Sequence, residues 1–330
     1  MTSGASCANS IWYKKRLFFL LQFYKQQHLS KGKFIYMQMA PITIYNNAAS
    51  AVINTKFTIE KWFDGCAFSE GPVWNSKGFY LFSDIPRNVI YKIDGPGEPQ
   101  VYLDKSGLTV PTDRELAEQV GSNGLAYDSE GNLIICQHGN GAVARYDGND
   151  LNFLVSGYNS KPFNSPNDLI VHSNGTVFFS DPPYGLKETK LQPEAAQPLA
   201  GVYAWRKGEL HLIYDGYQYP NGVCLSPNGR TLYTCSTKPF EAKVLAFDAQ
   251  TFELKSVVAE ENSDGIKCDR KGNLYLCTKD GVLILSEQGE RLALIQLETQ
   301  PANCCWGGKQ GNDLFVTARQ NIFVIPNLQA

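Results

Sequence analysis

The sequence has no excess of either charge: 30 Lys and Arg stand against 32 Asp and Glu, a formal net charge of -2. No basic stripe is present to hold nucleic acid, and no acidic or basic tail is present either. It lacks a membrane-length apolar run. The stretch Leu17 to Tyr24 is eight residues long, against the ~20 that a spanning helix needs. It has no GxSxG, so a strained serine elbow is excluded. It has no GxxxxGK[ST] and no GxGxxG, so nothing points to a nucleotide. Histidine is scarce, with four scattered residues, His28, His138, His172 and His211, and no Cys pair stands at zinc-ligand spacing beside them.

What is present is globular in character. Hydrophobic residues make up 43% and charged residues 19%, which sets the chain apart from disordered sequences. Nine cysteines are present. Cys136, Cys224, Cys235, Cys268 and Cys277 sit in apolar, strand-like runs, where free Cys behaves as a small buried hydrophobe. Their odd number argues against a fully paired secreted framework. Cys304 and Cys305 are adjacent in such a run, so their side chains are expected on opposite faces. These thiols point to a reducing, cytoplasmic setting.

At the N-terminus, Lys14-Lys15-Arg16 precedes the apolar stretch in signal-peptide order. No small-residue cleavage site follows promptly, and Ala49-Ser50-Ala51 comes too late. Three readings stay open: a disordered extension, a poor targeting segment, or a start at Met37 or Met39. Residues 1–54 are therefore expected to form an extension outside the fold, with residues 55–330 as the folded unit.

That unit is repetitive. Six segments align on their first residue: Glu70-Gly-Pro-Val-Trp, Asn123-Gly-Leu-Ala-Tyr, Asn167-Asp-Leu-Ile-Val, Asn221-Gly-Val-Cys-Leu, Asp264-Gly-Ile-Lys-Cys and Asn303-Cys-Cys-Trp-Gly. Eight residues on, each has a glycine: Gly78, Gly131, Gly175, Gly229, Gly272 and Gly311. An apolar run follows each glycine, such as Leu133-Ile-Ile-Cys136 or Val177-Phe-Phe-Ser180. The unit reads as strand, glycine turn, buried strand. The first residues are 53, 44, 54, 43 and 39 apart, near the ~40–50 residues of a four-stranded propeller blade. The expected fold is all-β, a six-bladed β-propeller around a central channel. Phe57 to Phe63 looks like a strand ahead of the first repeat and is expected to complete the last blade. The two longest spacings hold insertions, 103–122 and 185–201, and two readings stay open for them: a cover over the channel mouth or solvated surface loops.

Equivalent residues of a propeller occupy equivalent places about its axis. The first residues of the repeats, Glu70, Asn123, Asn167, Asn221, Asp264 and Asn303, should ring one mouth of the channel. All six carry side-chain oxygen, and two are carboxylates. Such a set suits a hard cation: calcium takes 6–8 oxygens of mixed type, while magnesium keeps more water. Glu70, Asn167, Asn221 and Asp264 are the expected metal ligands. Asn123 is placed to touch substrate or metal, and for Asn303, ahead of a glycine-rich bend, a purely structural role stays open.

These segments resemble the gluconolactonase, senescence-marker-protein and luciferin-regenerating-enzyme family over residues 57–326. The most specific stretches are Asn164-Ser-Pro-Asn-Asp-Leu169 and Phe179-Ser-Asp-Pro-Pro-Tyr-Gly185, with Glu70-Gly-Pro-Val-Trp, Pro220-Asn-Gly-Val and Asp264-Gly-Ile in support. The resemblance implies a six-bladed propeller with one catalytic divalent cation, hydrolysing lactones, often sugar lactones. By position, Glu70, Asn221 and Asp264 look like the family's metal ligands. Asn167 matches an Asn that binds metal or substrate. Gln137-His138-Gly139 resembles the stretch beside the substrate pocket, which places His138 there. Many relatives carry arginine where Asn140-Gly-Ala-Val follows in this chain, so the lactone is left undefined.

The expected reaction is water attack on a lactone carbonyl polarised by bound calcium, or by magnesium, manganese or zinc in vitro. Asp264 is the candidate base and His138 its rival. Asp168 is expected to orient Asn167; Asp84, Asp181 and Tyr184 are expected to be structural. Two other functions compete: a broader esterase or organophosphate hydrolase on the same site, and a non-catalytic propeller that binds a partner. The intact acidic residues Glu70 and Asp264 argue against the last.

Overall fold

The computed structural model describes residues 41–112 and 116–329, together with the backbone of Gln26–Ser30 and Lys33–Met39. The basic and apolar segment at 14–24 lies outside the described residues.

The glycine spacing sets the turn in every blade. All six repeat glycines have positive φ, between 70° and 96°, a conformation that side chains with Cβ resist. Each donates its N–H to the carbonyl three residues back, at 2.8–3.1 Å. This closes a tight turn between the first two strands of each blade. The apolar run that follows becomes the second strand, and Phe79–Asp84, Leu133–Gln137 and Val177–Asp181 are buried at every position. Such strands lie between neighbouring blades and have no solvent face.

Six antiparallel blade sheets result, with a separate two-stranded pair, Gly157–Tyr158 and Lys161–Pro162. The first blade comprises Ser69–Asn75, Phe79–Asp84, Val89–Ile93 and Gln100–Asp104. The second runs from Ser122–Tyr127 to Leu151–Val155, the third from Leu169–Val171 to Glu209–Tyr214. The fourth runs from Pro220–Leu225 to Leu254–Ala259, the fifth from Ile266–Cys268 to Arg291–Ile295. The sixth takes Asn303–Gly307, Asp313–Ala318 and Asn321–Ile325 from the C-terminus. Thr58–Phe63 is its fourth strand and pairs antiparallel with Asn321–Ile325. The seam is thus closed by the strand ahead of the first repeat.

The core lies between blades. At the seam, Tyr80 of the first blade stacks on Phe315 of the sixth, with ring centroids 4.2 Å apart. Cys304 and Cys305 fall in different clusters, one facing the fifth blade and one the first, as strand alternation requires.

The expected boundary at residue 55 needs correction. Ile42–Ile44 pairs with Arg291–Ile295 as a fifth strand on the fifth blade. Ala49, Val52 and Ile53 are buried in the cluster between the fifth and sixth blades, and Ile53 forms a bridge with Gln329. Lys33–Met39 pairs with Thr58–Phe63. The outer strand of a blade has an open edge of unpaired N–H and C=O groups. A three-residue strand that caps such an edge has too little periodicity to be read in advance.

Candidate active site at the channel mouth

The inner strands begin at one mouth of the channel, and their backbones crowd together there. Gly71 has φ of 51°, and a Cβ at that position would lie 1.8 Å from the Asn123 carbonyl oxygen. Backbone bonds join neighbouring blades: Gly124 N–H to Asn167 O at 2.6 Å, Gly222 N–H to Asp264 O at 2.9 Å, and Gly265 N–H to Ala302 O at 2.7 Å. The residue just before each of these glycines is therefore held against the axis.

A cavity of about 440 Å³ opens at this mouth, and Glu70, Asn123, Asn167, Asn221 and Asp264 all line it. Five of the six residues expected from the repeat are thus brought together. The sixth, Asn303, is not among them. Its Oδ1 accepts the Cys304 N–H at 2.9 Å, and its side chain also hydrogen-bonds Glu70. It holds a carboxylate in place and offers no oxygen to the cavity.

The amide oxygens of Asn123, Asn167 and Asn221 are buried and have no hydrogen-bond partner. An unmade bond to a buried polar atom costs about 1–3 kcal/mol, so three on one cavity need a reason. Two carboxyls share the space. Burial pushes Glu70 well above the usual carboxylate range, and the charges of Asp264 and Asp168 push the same way. Burial also raises Asp264, to about 7; Arg319 opposes the shift, Asp168 adds to it, and a hydrogen bond with Asn221 opposes it. Two repelling carboxyls and three orphaned amide oxygens make a donor set that fits a hard divalent cation. Among the described residues, no three His, Cys, Asp or Glu form a metal cluster of their own, so amide oxygens are essential to any such site.

His138 is fully buried and does not line the cavity. Its Nε2 lies 3.2 Å from the Asn123 Nδ2, and its Nδ1 lies 3.2 Å from the Gln119 carbonyl oxygen. The amide nitrogen can only donate and the carbonyl oxygen can only accept, so with this amide orientation the ring carries its proton on Nδ1 and accepts at Nε2. Its lone pair is occupied by Asn123. With Nδ2 on His138, the Asn123 Oδ1 is the atom left without a partner.

Among the described residues, Asp168 makes no hydrogen bond to the Asn167 side chain. It pairs with Lys267 Nζ at 2.9 Å and accepts the Leu169 and Val223 N–H groups at 3.0 and 3.3 Å. Burial works against the Lys267 charge, but Asp168 more than offsets this and raises its pKa. Lys267 stands at an ordinary apolar-strand position, and nothing in its local pattern marks it.

A second set of carboxylates places the loops that carry the site. Asp84 accepts the N–H groups of Ala67 and Phe68, just ahead of Glu70, at 3.0 and 3.1 Å. Asp181 accepts those of Asn164 and Ser165, just ahead of Asn167, at 2.9 and 2.8 Å. Glu241 accepts those of Gln218 and Tyr219, just ahead of Asn221, at 2.7 and 2.8 Å. In three blades the clamp grips the same two positions relative to the candidate ligand. Replacing Asp181 by Ala leaves two N–H groups without acceptors and is expected to lower stability by about 2–4 kcal/mol, read as a fall in the urea midpoint. An unchanged midpoint would mean that the loop is held by other contacts.

Tyr184 lines the cavity and its hydroxyl bonds Thr237, so it is part of the site as well as of the scaffold. The two insertions meet over the second and third blades: Leu116 bridges Leu186, and the Ala117 N–H bonds the Gly185 carbonyl at 3.0 Å. Gln119, from the first of them, lines the cavity.

Residues 68–320 match the family described as the SMP-30/Gluconolactonase/LRE-like region. A gluconolactonase of Zymomonas mobilis is 31% identical over 301 residues, covering 85% of this chain and 84% of its own. Rabbit regucalcin is 24% identical, over 78% of this chain and 85% of its own. Among solved structures, a gluconolactonase from Xanthomonas campestris superposes with a TM-score of 0.75 at 28% identity, covering 87% and 95% of the two chains. A regucalcin from Agrobacterium tumefaciens, described as a calcium-binding protein, superposes with a TM-score of 0.64 at 18% identity, covering 80% and 92%. This six-bladed propeller belongs to the SMP-30/gluconolactonase/LRE-like family.

Proposed function

We infer that this chain hydrolyses lactones, with a sugar lactone as substrate class and calcium as the metal. The observation that carries the reading is the convergence of three orphaned amide oxygens and two raised carboxyls on one cavity. The similarity to a gluconolactonase over most of both chains supports the reaction class. The Agrobacterium relative described as calcium-binding supports the metal. Glu70, Asn167, Asn221 and Asp264 would hold it. When bound, a divalent cation supplies Lewis-acid polarisation of a carbonyl oxygen, a contribution of several kcal/mol.

The chain's own residues do the rest. Asp264 takes a proton from water as the water oxygen adds to the lactone carbonyl carbon. The ring C–O bond then breaks, and Asp264 returns the proton to the leaving oxygen, giving a hydroxy acid. Its raised pKa suits that exchange near neutral pH. Asn123 contacts the substrate, and His138 is a positioning residue that fixes the Asn123 amide. Eight cysteines among the described residues are unpaired, which supports a cytoplasmic setting.

The test is acid release from glucono-1,5-lactone, with an aryl ester and an organophosphate alongside, by protein stripped with a chelator. Calcium, magnesium, manganese and zinc are then added back in turn. Lactone hydrolysis that is lost on stripping and restored best by calcium is the expected result. Hydrolysis of the ester or organophosphate ahead of every lactone would overturn the substrate class.

A further inference from the structure

The cavity wall is not electrically uniform. The residues that follow the second strand of each blade stand around the channel mouth. After Thr231–Ser236, Leu274–Thr278 and Asp313–Ala318, in the fourth, fifth and sixth blades, come Lys238, Lys279 and Arg319. All three line the cavity. At the corresponding ends in the first and third blades, the lining residues are Ile85 and Tyr184. Arg87, near the same place in the first blade, is occupied by Asp84 and the Gly65 carbonyl. One half of the mouth is therefore cationic and the other half neutral.

These cations are not neutralised by the scaffold. Among the described residues, no carboxylate makes an ion pair with any of the three. Glu241, beside Lys238 in sequence, is taken up by the Gln218 and Tyr219 N–H groups and by Ser236. Two of the three are held in place by rings and an amide. Lys238 Nζ lies 4.5 Å from the Tyr219 ring centroid and 5.8 Å from that of Tyr184. The Arg319 guanidinium lies 4.7 Å from the Phe68 centroid, and its Nη2 donates to Gln300 Oε1 at 3.1 Å. Cation–π contacts fix where such groups stand while leaving their charge available. The opposing charges on the cavity are Glu70 and Asp264, the pair assigned above to a divalent cation. Once that ion offsets them, no carboxylate is left among the described lining residues to face the three wall cations. Charge of one sign in a concave, low-dielectric setting raises the local concentration of the opposite sign.

We propose that the substrate is a lactone carrying an anionic substituent of its own, a phosphate ester or a carboxylate. That group is received by Lys238, Lys279 and Arg319 over the fourth to sixth blades. The inference rests on the lactonase reading for the reaction and on the wall charges for the selectivity. The lactone ring then lies toward Asp264 and Asn123, with its charged substituent toward the basic arc.

The experiment compares kcat/KM for three lactones: glucono-1,5-lactone, its 6-phosphate, and a glucarolactone bearing a free carboxylate. Both anionic lactones, or the one of matching geometry, should be preferred over the neutral one by about tenfold or more at low salt. The preference should shrink in about 0.5 M sodium chloride, where screening acts within a few Å. Lys238→Ala and Lys279→Ala should each reduce the anionic-to-neutral selectivity ratio about two- to fivefold, mainly through KM. Lys279→Glu should reduce it further. Equal use of neutral and anionic lactones, or a preference untouched by the double alanine variant, overturns the proposal. Calorimetric binding of 1,5-anhydroglucitol 6-phosphate against 1,5-anhydroglucitol, which have no lactone to open, separates the two readings. Phosphate-dependent binding that Lys238→Ala weakens, with no lactone hydrolysed, would sink the lactonase reading and keep the anion site. Equal weak binding of both analogues with neutral lactone hydrolysed would do the reverse.

Discussion

Replacing Asp264 by Asn is expected to lower lactone turnover by about 10²–10⁴-fold, the usual contribution of a positioned general base. The amide keeps the shape and one oxygen, so calcium affinity should fall far less than kcat. The carboxyl is suited to the task because burial holds it near neutrality, at about 7, with Arg319 restraining a further rise. Of the other candidates, Glu70 is tied through its Oε2 to the Gly71 N–H, and the His138 Nε2 is engaged by Asn123 with the ring outside the cavity lining. The check is kcat by pH-stat beside calcium affinity by calorimetry on the same preparation. A variant that hydrolyses the lactone at the parent rate would end the assignment, and a loss of calcium binding as large as the loss of kcat would reduce Asp264 to a ligand.

Adding calcium to stripped protein should raise the melting temperature by about 5–8 °C at 100–1,000 times the dissociation constant, from mass action and the entropy of unfolding a domain of this size. The gain should depend on pH, with a definite sign. In the metal-free protein, Glu70 and Asp264 are both raised above their ordinary values. Between the ordinary carboxylate range and about 7, the native state binds more protons than the unfolded chain. Metal-free stability therefore falls as pH rises through that window. Calcium favours the ionised pair and removes this penalty, so its effect should be larger near pH 8 than near pH 5.5. Equal melting temperatures with and without calcium at both pH values would contradict a cation on these ligands. A larger effect at the lower pH would place the ion away from the two carboxyls.

Much of the fold was legible because its signals are local. A glycine at a fixed offset demands a turn, and its positive φ appears in all six blades. The apolar run after it demands burial on both faces. Rotational equivalence then carries the first residue of each repeat to the axis, which is why five of six reach one cavity. The exceptions mark where that reasoning stops. Asn303 has the same residue type and register as Asn221, yet its oxygen turns to the Cys304 N–H. Spacing places a Cα; it does not say which way an amide rotates. His138 reads as a possible base in one dimension and as a holder of Asn123 in three. The backbone clamps formed by Asp84, Asp181 and Glu241 join residues 16–23 positions apart; Asp84 and Asp181 both end a Phe-Ser-Asp, but Glu241 reaches the same two positions from outside that motif.

The sequence by itself determined the blade count, the position of the turns and the set of oxygen-bearing residues at the channel mouth, because each follows from periodicity and backbone sterics. Only the tertiary structure decided which oxygens are left without partners, where Asp168 finds Lys267, and how Lys238, Lys279 and Arg319 come to share one wall. Those outcomes depend on side-chain direction and on contacts between blades, and neither is encoded in the repeat.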